Sequence, residues 1–210
     1  MNRIEGIYGI LPADLPLDAL LKKAEAAMKG GVRALQLRDK KQGFKHLLGR
    51  AMRLHELTAR FKAKLMINDS VQAALESGAE GVHLGRDDAP NLTRLRAQVG
   101  KDLIIGISCK ADAAFARHAL DAGADYVSFG AIYSTASKAS ASVIGIDRLA
   151  KARRLFPSEN IVAIGGIDES NLAEVRAAGA DAAAVISGLF EAGDVEACSR
   201  RLLGLWQAAA

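Results

Sequence analysis

Ser77-Gly78-Ala79-Glu80-Gly81-Val82 and Ala122-Gly123-Ala124-Asp125-Tyr126-Val127 follow one order: the end of an amphipathic stretch, a glycine, a small or acidic residue, then an apolar run. The order returns at Ala178-Gly179-Ala180-Asp181 and, in shorter form, at Gly30-Gly31-Val32. Glycine readily takes the left-handed conformation in which helices end, so each copy reads as a short turn from a helix into the next strand. These glycines and their neighbours are therefore expected to be structural.

Outward from these turns, short apolar runs suited to strands lie at Gly6–Leu11, Val32–Arg38, Lys64–Asn68, Gly81–Leu84, Leu103–Ser108, Tyr126–Tyr133, Ile161–Ile167 and Ala183–Ser187. Helical patterns follow them at Leu17–Lys29, Phe44–Phe61, Val71–Ser77, Asn91–Val99, Ala111–Ala122, Asp147–Phe156, Glu169–Ala178 and Val195–Gln207, several with Asp or Ser placed to cap them. Eight strands alternating with eight helices predict a closed (β/α)₈ barrel spanning residues 1–210 as one domain.

The composition agrees. Of 210 residues, 50% are hydrophobic and 25% charged, with a mean hydropathy of +0.09, which excludes a disordered, collagenous or coiled-coil chain. The net charge is +4 without any Lys/Arg run, so small acidic molecules such as phosphate esters are better partners than nucleic acid. The two cysteines, Cys109 and Cys198, form no Cys-x-x-Cys pair, which fits a reducing compartment without structural zinc. Met1–Gly9 lacks the pattern of a signal peptide, and no apolar stretch is long enough to span a membrane, so the cytoplasm is the expected location.

Barrel enzymes place their sites where strands end and βα loops begin. The polar residues there are Gln36, Arg38 and Lys40 after strand two, Asn68 and Asp69 after three, His83, Asp87 and Asp88 after four, and Ser108 after five. Strand six delivers Ser134, Thr135, Ser137 and Lys138, strand seven Gly165-Gly166, and strand eight Ser187-Gly188. The last two turns suit a phosphate held by backbone N–H groups, since glycine lets the main chain approach the anion. Asp69 and Asp88, on adjacent loops, could share a hard cation such as Mg²⁺, which takes one or two carboxylates together with substrate oxygens. Arg38, Lys40 and Lys138 supply cations for a second, more highly charged phosphate group. Asp87 reads as a helix cap, His83 as a hydrogen-bonded core residue, and Cys109 as a thiol without an activating base.

The ordered set Gln36-Leu37-Arg38-Asp39-Lys40, Asn68-Asp69, Gly81-Val82-His83-Leu84-Gly85-x-x-Asp88, Ser108, Thr135-x-Ser137-Lys138, Ile164-Gly165-Gly166-Ile167 and Val185-Ile186-Ser187 resembles the thiamine phosphate synthase family over nearly the whole chain. The resemblance implies a TIM-barrel transferase that joins a hydroxymethylpyrimidine diphosphate to a thiazole phosphate. By similarity, Gln36, Leu37, Arg38, Asp39, Lys40, Asn68, Ser108 and Lys138 would hold the pyrimidine diphosphate, with Arg38, Lys40 and Lys138 assisting catalysis. Asp69 and Asp88 would bind Mg²⁺, and Thr135, Ala136, Ser137, Gly166, Ile186 and Ser187 would hold the thiazole phosphate.

The mechanism so implied is dissociative: diphosphate departs and the thiazole nitrogen captures a pyrimidinylmethyl cation, which needs no protein nucleophile. The chain departs from the family pattern at Leu11, Arg86, Lys110, Ser137 and Ala139, where threonine, glutamine, histidine, threonine and proline are usual. Two alternatives share the barrel and the thiazole phosphate site: a thiazole tautomerase and a non-catalytic thiazole phosphate sensor. The pair Asp69 and Asp88 together with Lys138 favours the synthase. The implied partners are small phosphorylated substrates, and the sequence leaves a homo-oligomer open.

Overall fold

The computed structural model describes residues 3–39, 43–88, 91–135 and 142–209. Eight parallel strands close into a barrel in sequence order, the last pairing with the first. They are β1 (Gly6–Ile10), β2 (Ala34–Leu37), β3 (Lys64–Asn68), β4 (Gly81–Leu84), β5 (Ile104–Lys110), β6 (Tyr126–Gly130), β7 (Ile161–Ile164) and β8 (Ala182–Val185). The helices are α1 (Leu17–Lys29), α2 (Phe44–Arg60), α3 (Val71–Ser77), α4 (Leu92–Val99), α5 (Ala113–Asp121), α6 (Ile146–Leu155), α7 (Leu172–Ala177), α8 (Ser187–Phe190) and α9 (Val195–Ala208). Among these helices, none is long and apolar enough to cross a membrane.

The strands read as continuous apolar runs because both of their faces are buried. Leu35, Leu37, Leu65, Ile67, Val82, Ile105, Val127 and Val185 join the larger cluster, which also holds the buried faces of the helices. Tyr8, Ile10, Ala34, Met66, Ile104, Tyr126, Val162 and Ala184 alternate with them and form a second cluster inside the barrel. Large inward side chains are matched by glycines on neighbouring strands. A Cβ at Gly106 would lie 1.9 Å from the Tyr126 ring, and one at Gly81 would lie 2.5 Å from Met66 Cε.

The repeated turns have a common physical role. Gly31, Gly78, Gly123 and Gly179 all have positive φ, as the sequence predicts. The acid of each full copy clasps the preceding strand: Glu80 accepts from Leu65 N–H at 2.7 Å, Asp125 from Ile105 N–H at 2.7 Å, and Asp181 from Ile161 N–H at 2.8 Å. A base on the helix two elements back completes the clasp. Arg96 of α4 reaches Asp125 at 2.5 Å, Arg153 of α6 reaches Asp181 at 2.5 Å, and His55 of α2 faces Glu80 at 3.7 Å. Arg153 also donates to the carbonyls of Phe156, Pro157, Glu159 and Gly179, so one guanidinium ties four backbone acceptors and an acid. Replacing Asp181 by alanine removes the acceptor of Arg153 Nη2, Arg3 Nη2 and the Ile161 N–H at the base of the barrel. The expected cost is about 2–3 kcal/mol, below that of a fully buried pair because both side chains keep some solvent contact. It would be read as a lower urea midpoint, and an unchanged midpoint would contradict the clasp.

Several element ends differ from the sequence reading. The Tyr126–Tyr133 run leaves the ladder after Gly130, although Ile132 N–H and Tyr133 N–H still donate to Ile164 and Gly165 beside it. The Ile161–Ile167 run stops at Ile164 because Gly165 and Gly166 turn with φ of +105° and +64°. β2 is shorter than Val32–Arg38, whereas β5 runs on past Ser108 through a register shift to Lys110. The Glu169–Ala178 helix begins only at Leu172, since Asp168, Ser170 and Asn171 hydrogen-bond locally in place of a helical turn. Ser187, read as the end of the last strand, instead opens the one-turn α8.

Candidate active site

Two groups of candidate residues gather where the strands end. The first surrounds the ends of β7 and β8, where Thr135, Gly165, Gly166, Ile186 and Ser187 line one cavity. The turn at Gly166 is specific to glycine: a Cβ there would lie 2.3 Å from the Ser134 carbonyl oxygen and 2.8 Å from Tyr133 Cβ. The Gly166 carbonyl accepts from Asn171 Nδ2 at 2.8 Å, which fixes the peptide from outside the cavity. At Gly188, a Cβ would come within 2.7 Å of the Ile167 carbonyl, so the two turns pack main chain against main chain. The structure brings these residues, which the sequence places after strands six, seven and eight, to one place. Ala136, Ser137 and Lys138 lie outside the described residues.

The second group lies on the loops after β2 to β5. Strand alternation sorts Gln36–Asp39: Gln36 is inside the barrel and 2% exposed, whereas Leu37 packs in the outer cluster against the helices. Asp39 likewise turns outward. Its side chain is buried against α2, with Oδ2 3.6 Å from Arg50 Nε and 3.7 Å from His46 Nε2. The side chains of Leu37 and Asp39 therefore do not face the mouth as a run of five binding side chains would require, and only their main chain is available there. Arg38 is half-buried, and Lys40 lies outside the described residues.

Asp69 and Asp88 follow β3 and β4. Asp69 has a φ of +62°, and its N–H donates to the His83 carbonyl at 2.9 Å, which carries the ladder one residue past the strand. Aspartate is one of the few side chains that takes this left-handed backbone readily, because its short carboxylate can hydrogen-bond locally. Asp88 Oδ2 accepts from Gly85 N–H at 3.1 Å, which folds the β4 loop back on itself. Asp87 does not cap the next helix: Asn91 does, accepting from Arg94 N–H at 2.9 Å. Among the described residues no cluster of three or more metal-binding side chains occurs. Two carboxylates on adjacent open loops suit Mg²⁺ that is completed by substrate oxygens.

The unusual residues fall into place. Arg86 is turned to α5, 2.5 Å from Asp112 Oδ2 and 4.1 Å from the centre of the Phe115 ring. Asp112 caps that helix through Phe115 N–H at 2.8 Å, and these partners hold its carboxyl below the usual range. Arg86 thus braces two loops. Leu11 is buried and extends β1 by donating its N–H to the Gln36 carbonyl at 3.0 Å. Lys110 is exposed at the end of β5, with φ of +54°.

Inside the mouth lies a set of groups that sequence reading identified only in part. Gln36 Nε2 donates to Tyr8 Oη at 2.7 Å, Tyr8 Oη lies 3.3 Å from Tyr126 Oη, and Tyr126 Oη lies 2.9 Å from His83 Nδ1. His83 also stacks on the Tyr126 ring. Its reading as a hydrogen-bonded residue holds, but the ring is half-buried at the mouth and not in the core; burial lowers the imidazole to about 4 against the opposing charge of Asp69, so the ring is neutral near pH 7. Tyr8 and Tyr126 were missed. Their signal is an inward position in phase with Gln36 and His83, with Gly106 beside Tyr126.

Cys109 is buried on the outer face of β5, and burial, reinforced by Asp112, pushes its thiol up to about 12. Burial and Glu169 push Cys198 up to about 11. Both thiols are therefore held in the unreactive protonated form at pH 8. Iodoacetamide at that pH is expected to leave both cysteines of the native protein unmodified and to alkylate both in urea, as mass spectrometry would show. Rapid labelling of the native protein would contradict this burial.

Comparison with known proteins places this arrangement. A family model described as thiamine monophosphate synthase matches residues 7–189. The thiamine-phosphate synthase of Acidithiobacillus ferrooxidans is 44% identical over 207 residues, covering 97% of this chain and 94% of its own. That of Chromobacterium violaceum is 43% identical over 202 residues, 96% of each chain. Among solved structures, the thiamine phosphate pyrophosphorylase of Pyrococcus furiosus matches with a TM-score of 0.87 at 31% identity, covering 99% of this chain and 98% of that one.

Proposed function

The chain belongs to the thiamine monophosphate synthase family, a family of transferases of thiamine biosynthesis, and from that premise we propose that it joins 4-amino-2-methyl-5-hydroxymethylpyrimidine diphosphate to thiazole phosphate. The products are thiamine phosphate and diphosphate. The observation that carries this reading is the pair of separate polar groups at one barrel mouth. One is the glycine-lined cavity of β7 and β8, and the other holds Arg38, Asn68, Asp69, Asp88 and Ser108 on the loops after β2 to β5.

In this reading the cavity with Thr135, Gly166, Ile186 and Ser187 takes the thiazole phosphate, aided by Ala136 and Ser137. The opposite loops take the pyrimidine diphosphate through Arg38, Lys40, Asn68, Ser108 and Lys138, through the Gln36 side chain, and through the main chain at Leu37 and Asp39. Asp69 and Asp88 would hold Mg²⁺, which when bound offsets charge on the diphosphate. The methylene–oxygen bond breaks with its electron pair leaving on the diphosphate, whose growing charge the cationic side chains of Arg38, Lys40 and Lys138 would offset. The electron-rich aminopyrimidine stabilises the methylene cation, and the thiazole nitrogen lone pair closes the new carbon–nitrogen bond. No side chain acts as nucleophile, consistent with the high thiol pKa of Cys109.

Phosphorus NMR of purified protein with both substrates and Mg²⁺ tests the proposal. Thiamine phosphate and diphosphate are expected in equal amounts, and neither when one substrate is left out. Conversion of the thiazole phosphate alone, without the pyrimidine diphosphate or Mg²⁺, would overturn it.

A further inference from the structure

The hydroxyls of Tyr8 and Tyr126 meet across the barrel interior, from β1 and β6, and link two polar groups: Gln36 on β2 through Tyr8, and His83 on β4 through Tyr126. Tyr8 and Tyr126 are buried, so each hydroxyl hydrogen requires an acceptor within the protein. With Gln36 Nε2 donating to Tyr8 Oη, the Tyr8 proton has Tyr126 Oη as its acceptor, and the Tyr126 proton has His83 Nδ1. The reverse order would leave the Tyr8 proton without an acceptor while the amide keeps this orientation.

We propose that Tyr8 and Tyr126 are positioning residues: the chain from Gln36 Nε2 through Tyr8 and Tyr126 to His83 Nδ1 runs in one direction and fixes what the barrel mouth offers a heteroaromatic ring. At β2 the amide is held so that its free oxygen, Oε1, is an acceptor. At β4 the imidazole carries its proton on Nε2 and is a donor. The ligand class that matches is a ring with an exocyclic amine and an unprotonated ring nitrogen. An aminopyrimidine has both, whereas its oxo counterpart presents a carbonyl in place of the amine and meets Oε1 with a second acceptor. Selectivity of this kind is strong because the mismatch leaves buried polar groups unpaired. The inference rests on the pyrimidine assignment made above and goes beyond it by naming what selects the amine.

Two measurements test it. Nitrogen NMR of the ligand-free protein at pH 8 reads the His83 tautomer directly, and the expected result is a proton on Nε2 with Nδ1 bare. A proton on Nδ1 would overturn the chain, whatever the protein catalyses. Separately, the dissociation constants of the amino and oxo pyrimidine diphosphates are compared in the wild-type protein and in Tyr8→Phe. The variant frees the Gln36 amide to rotate, so the preference for the amine is expected to shrink about tenfold, in line with the loss of one oriented hydrogen bond. A merely structural role for Tyr8 would weaken both ligands alike and leave the ratio unchanged, and that result would overturn the proposal. If the wild-type protein bound neither diphosphate, the functional reading and the ligand assigned here would both fail, while the tautomer would still decide the chain.

Discussion

Replacing Asp69 or Asp88 by asparagine is expected to lower turnover roughly 100-fold, the scale on which removal of one preorganised electrostatic partner acts. Affinity for the thiazole phosphate should change by no more than about twofold, because in the proposed reading the carboxylates would serve the diphosphate on their own side of the mouth. The split follows from position. Asp69 and Asp88 follow β3 and β4, whereas Gly166 and Ser187 follow β7 and β8 on the far side of the closed barrel. Steady-state kinetics with saturating thiazole phosphate and varied Mg²⁺ would show it. Unchanged turnover of both variants at limiting Mg²⁺ would remove the metal assignment.

Gly166→Ala is expected to act on the other half. Its φ of +64° disfavours any Cβ, and the added methyl would stand 2.3 Å from the Ser134 carbonyl oxygen and 2.8 Å from Tyr133 Cβ. Strain at such a backbone is worth about 1–3 kcal/mol, and relief requires moving the main chain that lines the cavity. The KM for thiazole phosphate should rise by roughly 50-fold or more, a shift of about 2.3 kcal/mol, with a smaller change in pyrimidine diphosphate affinity. Equal losses for both substrates would mean that the cavity is not the site of one of them.

Much of this was legible in the sequence because periodicity and turn chemistry are local. The glycine turns before β4, β6 and β8 could be read from single hexapeptides, and their acids prove to be ties from turn to strand to helix. The polar residues at strand ends were legible once the barrel was, since parallel pairing of consecutive strands sets the ends of β7 and β8 side by side. What the sequence concealed depends on distant partners. The outward turn of Asp39 requires Arg50 on α2, and the engagement of Arg86 requires Asp112 and Phe115, 26 and 29 positions along the chain. Tyr8 and Tyr126 lie 118 positions apart, and only the closed barrel makes their hydroxyls neighbours. Asp87 yielded its capping role to Asn91 because α4 starts at Leu92, beyond the reach of the Asp87 side chain.

The most direct measurement is calorimetric titration of the same protein sample with thiazole phosphate and with a non-reacting pyrimidine diphosphate analogue, each with Mg²⁺ and with EDTA. The expected result is one site for each ligand on every chain, both filled at once, with Mg²⁺ strengthening only the diphosphate. Mutual exclusion of the two ligands, or an equal Mg²⁺ dependence of both, would contradict a barrel mouth that holds two substrates side by side.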